Sequence, residues 1–362
     1  MVLTVIIVSY NVKFFLEQCL CSVQRAAAND VEVLVIDNNS ADGSVEYLQE
    51  KYPFAQFIIS NDNMGFARAN NQALKKARGK YILFLNPDTI IPQDLFTNCI
   101  SFMDAHADAG ALGVRMIDGS GQFLKESKRG FPSPWVAFCK MSGLTNLFPR
   151  SKTFARYYMG HLAEKETQIV DALAGACMFV RKELVEKIGG FDEQFFMYAE
   201  DIDLSYRLQR TGFKNLYFPH CTIIHFKGES TRKDRKYVQF FYKAMIQFVR
   251  KHFGKNWLLE TGIHLRAALT PSTAKLTMNN AASYQFLLAG EEQSFDELPV
   301  MKNDAATSQA VLFCEGPSFS FKQVIGEIQK IPAGKKIFIH GKGTRSIAGS
   351  TDKDGRGETI SW

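Results

Sequence analysis

A chain of 362 residues, 46% hydrophobic and 22% charged, has the composition of an ordinary globular protein and the length for two domains, or for one large domain with an appendage. Its formal charge of +6 is a mild basic excess, suited to phosphorylated ligands or an anionic membrane face and too small to argue for nucleic acid. The 7 cysteines form no Cys-x-x-Cys pair, which favours scattered reduced thiols over a disulfide framework or a zinc site. The N-terminus shows neither a basic leader nor a small-residue cleavage site, and no window reaches the ~18 apolar residues of a membrane span. A cytosolic protein is expected, with peripheral association at the inner face of the membrane left open.

Short apolar runs alternate with polar, helix-like stretches through the first half. Residues 2–8 read as a buried strand. Residues 14–28 read as a helix carrying Phe15, Cys19 and Val23 on one face. A second strand, 31–36, runs into Asp37-Asn38-Asn39-Ser40, and Asp42-Gly43-Ser44 caps a helix over 45–51. A third strand spans 57–60, a helix over 65–77 is closed by Gly79, and a fourth strand spans 81–85. This alternation predicts a parallel α/β sheet. Ligands of such sheets bind beyond the carboxyl ends of the strands. Ser9-Tyr10-Asn11, Asp37-Asn38-Asn39 and Asn86-Pro87-Asp88 all fall there.

Residues 120–165 mix Gly, Pro, aromatic and basic residues without a period and read as a loop-rich insertion over the site. A strand is expected over 170–180, with Gly175-Ala176 allowing close backbone approach. Helices are expected over 181–188 and 200–211, and short strands over 216–218 and 222–225. The helix over 237–253 carries Phe240, Phe241, Met245, Phe248 and Val249 at helical spacing, a stripe that reads as core packing before membrane docking. Beyond 258 the character changes. Residues 271–280 and 290–308 read as linker; 310–314, 320–330 and 336–340 read as a small β-α-β appendage. The expected division is a domain over 1–257, a helical or linker segment over 258–309 and an appendage over 310–362.

Glu200-Asp201-Ile202-Asp203 sets three carboxylates in four residues, and carboxylates are rarely buried without a partner. Asp201, at a helix start, is placed to take a proton from an attacking hydroxyl or simply to offset the helix dipole. Asp203 points elsewhere and is spaced to pair with Arg207. Asp88 suits a hard divalent cation that neutralises two phosphates, or a turn. Asp37 suits the ring N–H of a uracil or thymine base, or a turn cap. His225 becomes a metal ligand only if folding brings it beside Asp88, and His220 competes on equal terms. Gly228, Ser230, Arg232 and Lys233 are placed for diphosphate contacts or for a solvated loop. Gly341-Lys342-Gly343-Thr344 lacks the spacing of a phosphate-binding loop, and Asp352-Lys353-Asp354-Gly355 lacks the rest of a calcium loop.

Six segments taken in order resemble family 2 of the inverting glycosyltransferases. They are Val5-Ile6-Ile7-Val8-Ser9-Tyr10-Asn11, Val35-Ile36-Asp37-Asn38-Asn39-Ser40 with Asp42-Gly43-Ser44, Asn63-Met64-Gly65-Phe66-Ala67-Arg68-Ala69-Asn70-Asn71, Leu85-Asn86-Pro87-Asp88, Gly175-Ala176-Cys177-Met178, and Gly189-Gly190-Phe191-Asp192 leading to Glu200-Asp201-Ile202-Asp203-Leu204. They look most like the rhamnosyltransferase-type branch and cover roughly residues 1–255. The resemblance implies an α/β chain of the GT-A type, a nucleotide-diphospho-sugar transferase fold with a mostly parallel central sheet, plus the small C-terminal α/β appendage. It implies that Asp37 reads the base, with Ser9, Asn11 and Asn38 near the nucleotide and Asn63, Gly65 and Asn70 lining its pocket. Asp88 and His225 would hold Mg2+ or Mn2+, and Asp201 would be the catalytic base. The usual Asp-x-Asp is Asn86-Pro87-Asp88 here, so Asn86 is left to hydrogen-bond ribose or a bound water. The implied donor is dTDP-rhamnose or a UDP-sugar, and the implied acceptor is a saccharide or lipid-linked glycan in surface glycan synthesis. Two other readings stand beside this one: a non-catalytic sugar-nucleotide-binding scaffold, and a nucleotidyltransferase, which lacks its Gly-rich phosphate loop here.

Overall fold

A computed structural model describes residues 1–227, 235–255, 257, 260–263, 286–291, 310–332, 334–350 and 357–362. The apolar runs of the first half become strands because each is covered on both faces. β1 (Leu3–Ser9), β2 (Val31–Asp37) and β4 (Tyr81–Leu85) are almost wholly buried, as parallel strands flanked by helices must be. They pair in parallel in the order β3 (Ala55–Ile59), β2, β1, β4. Their crossovers are α1 (Lys13–Ala26), α2 (Ser44–Lys51) and α3 (Phe66–Leu74).

Gly79 does not close α3. That helix ends at Leu74, and a Cβ on Gly79 would lie 2.4 Å from the backbone nitrogen of Thr4, so the glycine lets the chain enter β4 flush against β1.

No element is expected from pattern over 89–119, yet three form there: β5 (Thr89–Ile90), α4 (Leu95–Ala105) and β6 (Ala109–Ile117). In β6 the small residues Ala109, Gly110, Ala111 and Gly113 dilute the apolar run. At Gly110 and Gly113 a Cβ would lie 2.7 Å from Phe213 and from Leu173 respectively. The single strand expected over 170–180 is two, β7 (Gln168–Val170) and β8 (Cys177–Arg181), separated by the segment that carries Gly175. Conversely, the two short strands expected after 215 are one, β9 (Lys214–His225), with a register shift between its Phe218 and Thr222 pairings that absorbs Pro219. The sheet continues from β4 through β8, β6, β9 and β5, with β7 alongside β9. β8 runs antiparallel to its neighbours β4 and β6, while β6 and β9 are parallel.

The insertion over 120–165 holds two short helices, α5 (Pro134–Met141) and α6 (Leu144–Leu147). After β8 come α7 (Lys182–Lys187) and α8 (Glu200–Arg210), and α9 (Arg235–Phe253) follows β9. The stripe on α9 is core in part: Phe248 is buried against Phe131 and Tyr206, and Met245 and Val249 are buried with Ala137 and Ile263, whereas Phe240 is 40% exposed and meets Phe196. All seven cysteines are free and buried. No helix among the described residues is long and apolar enough to cross a membrane.

The appendage is a second sheet, β10 (Phe286–Gly290), β11 (Ala310–Cys314), β12 (Lys336–His340), β13 (Ser346–Ser350) and β14 (Glu358–Ser361), with α10 (Phe321–Ile328) between β11 and β12. Its first strand lies inside the segment read as helical or linker, while 271–280 and 292–308 lie outside the described residues. The appendage packs on α1. Val311, Phe313 and Val324 share one apolar cluster with Leu16, Leu20 and Cys21. Gln18 donates to Thr344 Oγ1 at 2.9 Å and to the Ser346 carbonyl at 2.7 Å, and accepts from the Gly341 N–H at 2.9 Å.

Candidate active site

The register of the parallel strands sets the first group of residues side by side. Ser9 and Asp37 are paired positions at the ends of β1 and β2, and Asn86 follows β4 directly. Asp37 accepts the Ser40 N–H on Oδ2 at 2.9 Å, while its Oδ1 and the Ser9 hydroxyl are buried with no partner among the described residues. Two unpartnered polar atoms on adjacent strand ends are costly unless a ligand meets them. Asn11 adopts a left-handed backbone (φ 51°) and accepts the Ala41 N–H at 2.7 Å, which ties the β1 turn to the β2 turn.

Asn38 and Asn63 build the next wall. The Asn38 amide donates to Asn63 Oδ1 at 3.0 Å and accepts from the Met64 N–H at 3.0 Å. Gly65 has φ +81°, and a Cβ there would lie 2.5 Å from the Phe196 carbonyl oxygen. Only glycine lets α3 begin against the 191–199 loop, where the Phe66 N–H donates to that same oxygen at 3.0 Å. Asn70 donates to the Phe66 carbonyl of its own helix at 2.9 Å. Asn71, which motif reading does not single out, clamps the loop by exchanging bonds with the Phe191 backbone, 2.9 Å each way.

Asp88 and His225 come together across β5 and β9: Asp88 Oδ1 lies 3.3 Å from His225 Nε2, with Asp88 buried and His225 mostly so. Asn86 Nδ2 also lies 3.3 Å from that nitrogen, so Nε2 faces both the amide and the carboxylate. A hard carboxylate oxygen and an imidazole nitrogen suit Mg2+ or Mn2+ completed by diphosphate oxygens and water. The residues present therefore fit a divalent ion. Among the described residues, no third His, Cys, Asp or Glu joins them. His220, equal to His225 on pattern, is exposed and meets the Phe218 ring at a tilt, 5.0 Å between centroids. Arg232 and Lys233, with Gly228 and Ser230, lie outside the described residues.

Asp201 reaches the same rim. The Gly175 N–H donates to Asp201 Oδ2 at 2.9 Å, and the next carbonyl along, Ala176, accepts the Asn86 N–H at 2.9 Å. Tyr198 and Ala199 hold left-handed backbones (φ 69° and 64°) just before α8, a costly arrangement that aims the Glu200-Asp201 turn. Asp201 also pairs with Arg129, whose Nη2 lies 2.5 Å from Oδ2 and donates to the Leu173 carbonyl. Burial disfavours the Arg129 charge, but the adjacent Asp201 outweighs it and raises the guanidinium pKa. Nothing in the motif spacing marks Arg129, which belongs to the aperiodic insertion. Asp203 takes the structural role expected of it: it accepts from Arg207 Nε at 2.7 Å and binds Lys251 and His252 of α9.

Glu200 is the outlier in charge. Burial, with Asp201 next to it, pushes its pKa up to about 8, and its Oε2 has no partner. The native state thus holds a proton between pH 4.5, the ordinary value, and about 8, where the unfolded chain has released it, so stability falls as pH rises through that window. Glu200→Gln should therefore gain melting temperature over the native chain progressively from about pH 5 to about pH 8. Parallel melting curves across that range would remove the assignment.

A depression of about 960 Å³ lies between α9 and Gln194, walled by Lys243, Gln247 and Lys251. A family model described as glycosyl transferase family 2 matches residues 4–189. An N-acetylglucosaminyl-diphospho-decaprenol L-rhamnosyltransferase of Mycobacterium tuberculosis is 28% identical over 286 residues, covering 74% of this chain and 92% of its own length. Rhamnosyltransferase WbbL of Escherichia coli is 26% identical over 259 residues, covering 69% of this chain and 90% of its own. Among solved structures, a mannosyltransferase of Pyrobaculum calidifontis in complex with GDP-Man and Mn2+ aligns at TM-score 0.49 and 20% identity, over 73% of this chain and 68% of that one.

Proposed function

We propose a reaction for this chain, which belongs to glycosyl transferase family 2: transfer of a sugar from a nucleoside diphosphate to the hydroxyl of a saccharide or lipid-linked glycan, in one displacement that inverts the anomeric carbon. The two rhamnosyltransferase relatives make deoxythymidine-diphospho-rhamnose the first donor to test and a lipid-diphosphate glycan the first acceptor. The observation that carries the reading is the Asp88–His225 pair, set on the same sheet rim as Asp201.

In this reading the unpartnered Asp37 Oδ1 accepts the ring N–H of the pyrimidine base, and Ser9 bonds the nucleoside beside it. Asp88 and His225 would hold Mg2+ or Mn2+, and the ion would supply positive charge to offset the negative charge growing on the departing diphosphate. Asp201 takes the proton of the acceptor hydroxyl as that oxygen bonds to the anomeric carbon. The bond from that carbon to the diphosphate breaks on the opposite face, and its electron pair leaves with the nucleoside diphosphate. Arg129 and the Gly175 N–H fix the Asp201 carboxylate so that one oxygen stays turned to the acceptor.

A thermal-shift panel of nucleotide sugars with Mn2+ tests donor and ion together, because a ligand that binds only the folded chain raises its melting point by an amount set by its affinity. Asp88→Ala should abolish the Mn2+-dependent part of that shift while leaving a smaller nucleotide shift through Asp37. A full shift in Asp88→Ala would remove the ion from this position. A chain that binds a nucleotide sugar but neither transfers nor hydrolyses it with Mn2+ present would favour the scaffold reading.

A further inference from the structure

The outer face of the 127–163 insertion is built against the usual rule for a solvent-facing surface. Helix α5 buries Val136, Ala137 and Cys139 and turns Trp135 and Phe138 outward, 49% and 51% exposed. Phe148 and Leu147 at the end of α6 are 46% and 69% exposed. The rings form one cluster: Trp135 stacks on Phe138 at 5.7 Å and meets Phe154 at 6.2 Å, and Phe154 meets Phe148 at 5.4 Å. Contiguous exposed aromatics of this kind mark an interaction surface rather than a random scatter.

The exposed charge beside them is basic, with Glu126 and Glu164 standing at the two ends of the segment. From Ser127 to Ala163 the chain carries Lys128, Arg129, Lys140, Arg150, Lys152 and Arg156 and no Asp or Glu. Arg150, Lys152 and Arg156 are exposed beside the cluster; the carboxylate against Arg156 is Asp171, at 3.5 Å. Amphipathic aromatic rings rimmed by basic side chains match the interface of a bilayer with anionic headgroups, where Trp and Phe enter the headgroup boundary and each Lys or Arg adds attraction. A second protein would need carboxylates to meet this rim, and a second copy would bring the same positive charge against it.

We propose that Trp135, Phe138, Leu147 and Phe148, with Arg150 and Lys152, dock this protein on an anionic lipid bilayer. The face is rigidly tied to the site, because the Gly130 N–H donates to the Tyr157 carbonyl at 2.9 Å and Arg129 holds Asp201. Its consequence for catalysis, delivery of a lipid-linked hydroxyl to Asp201, rests on the transferase reading above; the docking itself does not.

The test is flotation of the full chain with vesicles of phosphatidylcholine alone and of phosphatidylcholine with an equal part of phosphatidylglycerol, without nucleotide sugar. Binding to the anionic vesicles should exceed binding to the neutral ones by at least about tenfold and fall with added salt. Arg150→Glu with Lys152→Glu, and separately Trp135→Ser with Phe138→Ser, should each lose at least about tenfold while keeping the native melting temperature, since all four residues are exposed. In a chain carrying Trp257→Phe and Trp362→Phe, brominated lipid should quench the remaining Trp135, a readout that needs no destabilising change. Equal binding by both double variants, equal binding to neutral vesicles, or a dimer that Trp135→Ser with Phe138→Ser dissolves would each overturn the proposal. Because donor binding is read in a separate assay, loss of the docking and loss of the transferase assignment are distinguishable.

Discussion

Asp201→Asn is expected to slow sugar transfer by about 100- to 10,000-fold, the range a positioned general base supplies, while leaving the nucleotide-sugar thermal shift nearly unchanged. The geometry makes the experiment more demanding than a simple loss of activity. Asp201 Oδ2 already accepts from Arg129 and Gly175, and Oδ1 accepts the Ile202 N–H at 2.7 Å. A carboxylate has about four lone-pair positions, so one remains on Oδ1 for an incoming hydroxyl. The same bonds mean that Asp201 also neutralises a buried guanidinium, and breaking such a pair from one side costs up to about 3–5 kcal/mol. Asparagine keeps the shape and one acceptor but not the charge, so the variant should melt lower than the native chain.

Arg129→Met separates the two roles. It removes the same ion pair from the other side and leaves the carboxylate in place, so it should share the lower melting temperature yet retain measurable transfer. If both variants lose transfer equally while still binding donor, Asp201 acts through the fold and not on the acceptor proton. Turnover of Asp201→Asn within about threefold of the native chain would dismiss the base outright.

How far the sequence discloses this arrangement depends on which physical constraint dominates at each place. β1, β2 and β4 are legible because burial on both faces demands apolar runs, interrupted only by Thr4 and Glu32 before the polar residues that end β1 and β2. β6 is not, because close packing by Phe213 and Leu173 demands small residues and erases the signal. α4 carries Leu95, Phe96, Cys99 and Met103 on its buried side, a helical period that was open to reading. Asp88 and Asp37 stand out as polar residues ending buried strands, and their neighbourhood follows from parallel pairing. That His225 rather than His220 meets Asp88 depends on the register of β9 against β5, in which His225 pairs with Thr89; a slip of one residue would turn His225 to the other face. Arg129 has no local signature at all. Its importance arises from a contact 72 residues away in sequence, and only the folded insertion brings it there.

The second large effect lies where the appendage meets α1. Glu17 is fully buried, and its carboxylate accepts from Lys51 Nζ and Tyr47 Oη at 2.5 Å each, from the Arg345 N–H at 3.0 Å and from the Ser346 hydroxyl. Burial works to raise its pKa, but Lys51, Ser346 and Tyr47 outweigh it and hold the carboxyl below its ordinary 4.5. A depressed carboxylate contributes stability that is present above the unfolded value and lost as pH falls through the folded one. Glu17→Ala should leave the Lys51 ammonium and three donors facing a void, destabilising the chain by about 3–5 kcal/mol near neutral pH. The difference from the native chain should shrink on acidification below 4.5, because there the native carboxyl too is losing its charge. Glu17→Gln, which keeps the shape and can still accept, should fall between the two.

Paired melting curves at neutral pH and under acid give the energies, and amide exchange in β13 gives the place. Opening there first would mean that the appendage is fastened through α1, whose neighbour strand β1 ends at Ser9 in the nucleotide pocket. Uniform loss of protection, with β13 no faster than β1, would instead make the two sheets one cooperative unit, since unequal opening is what separates substructures of different stability.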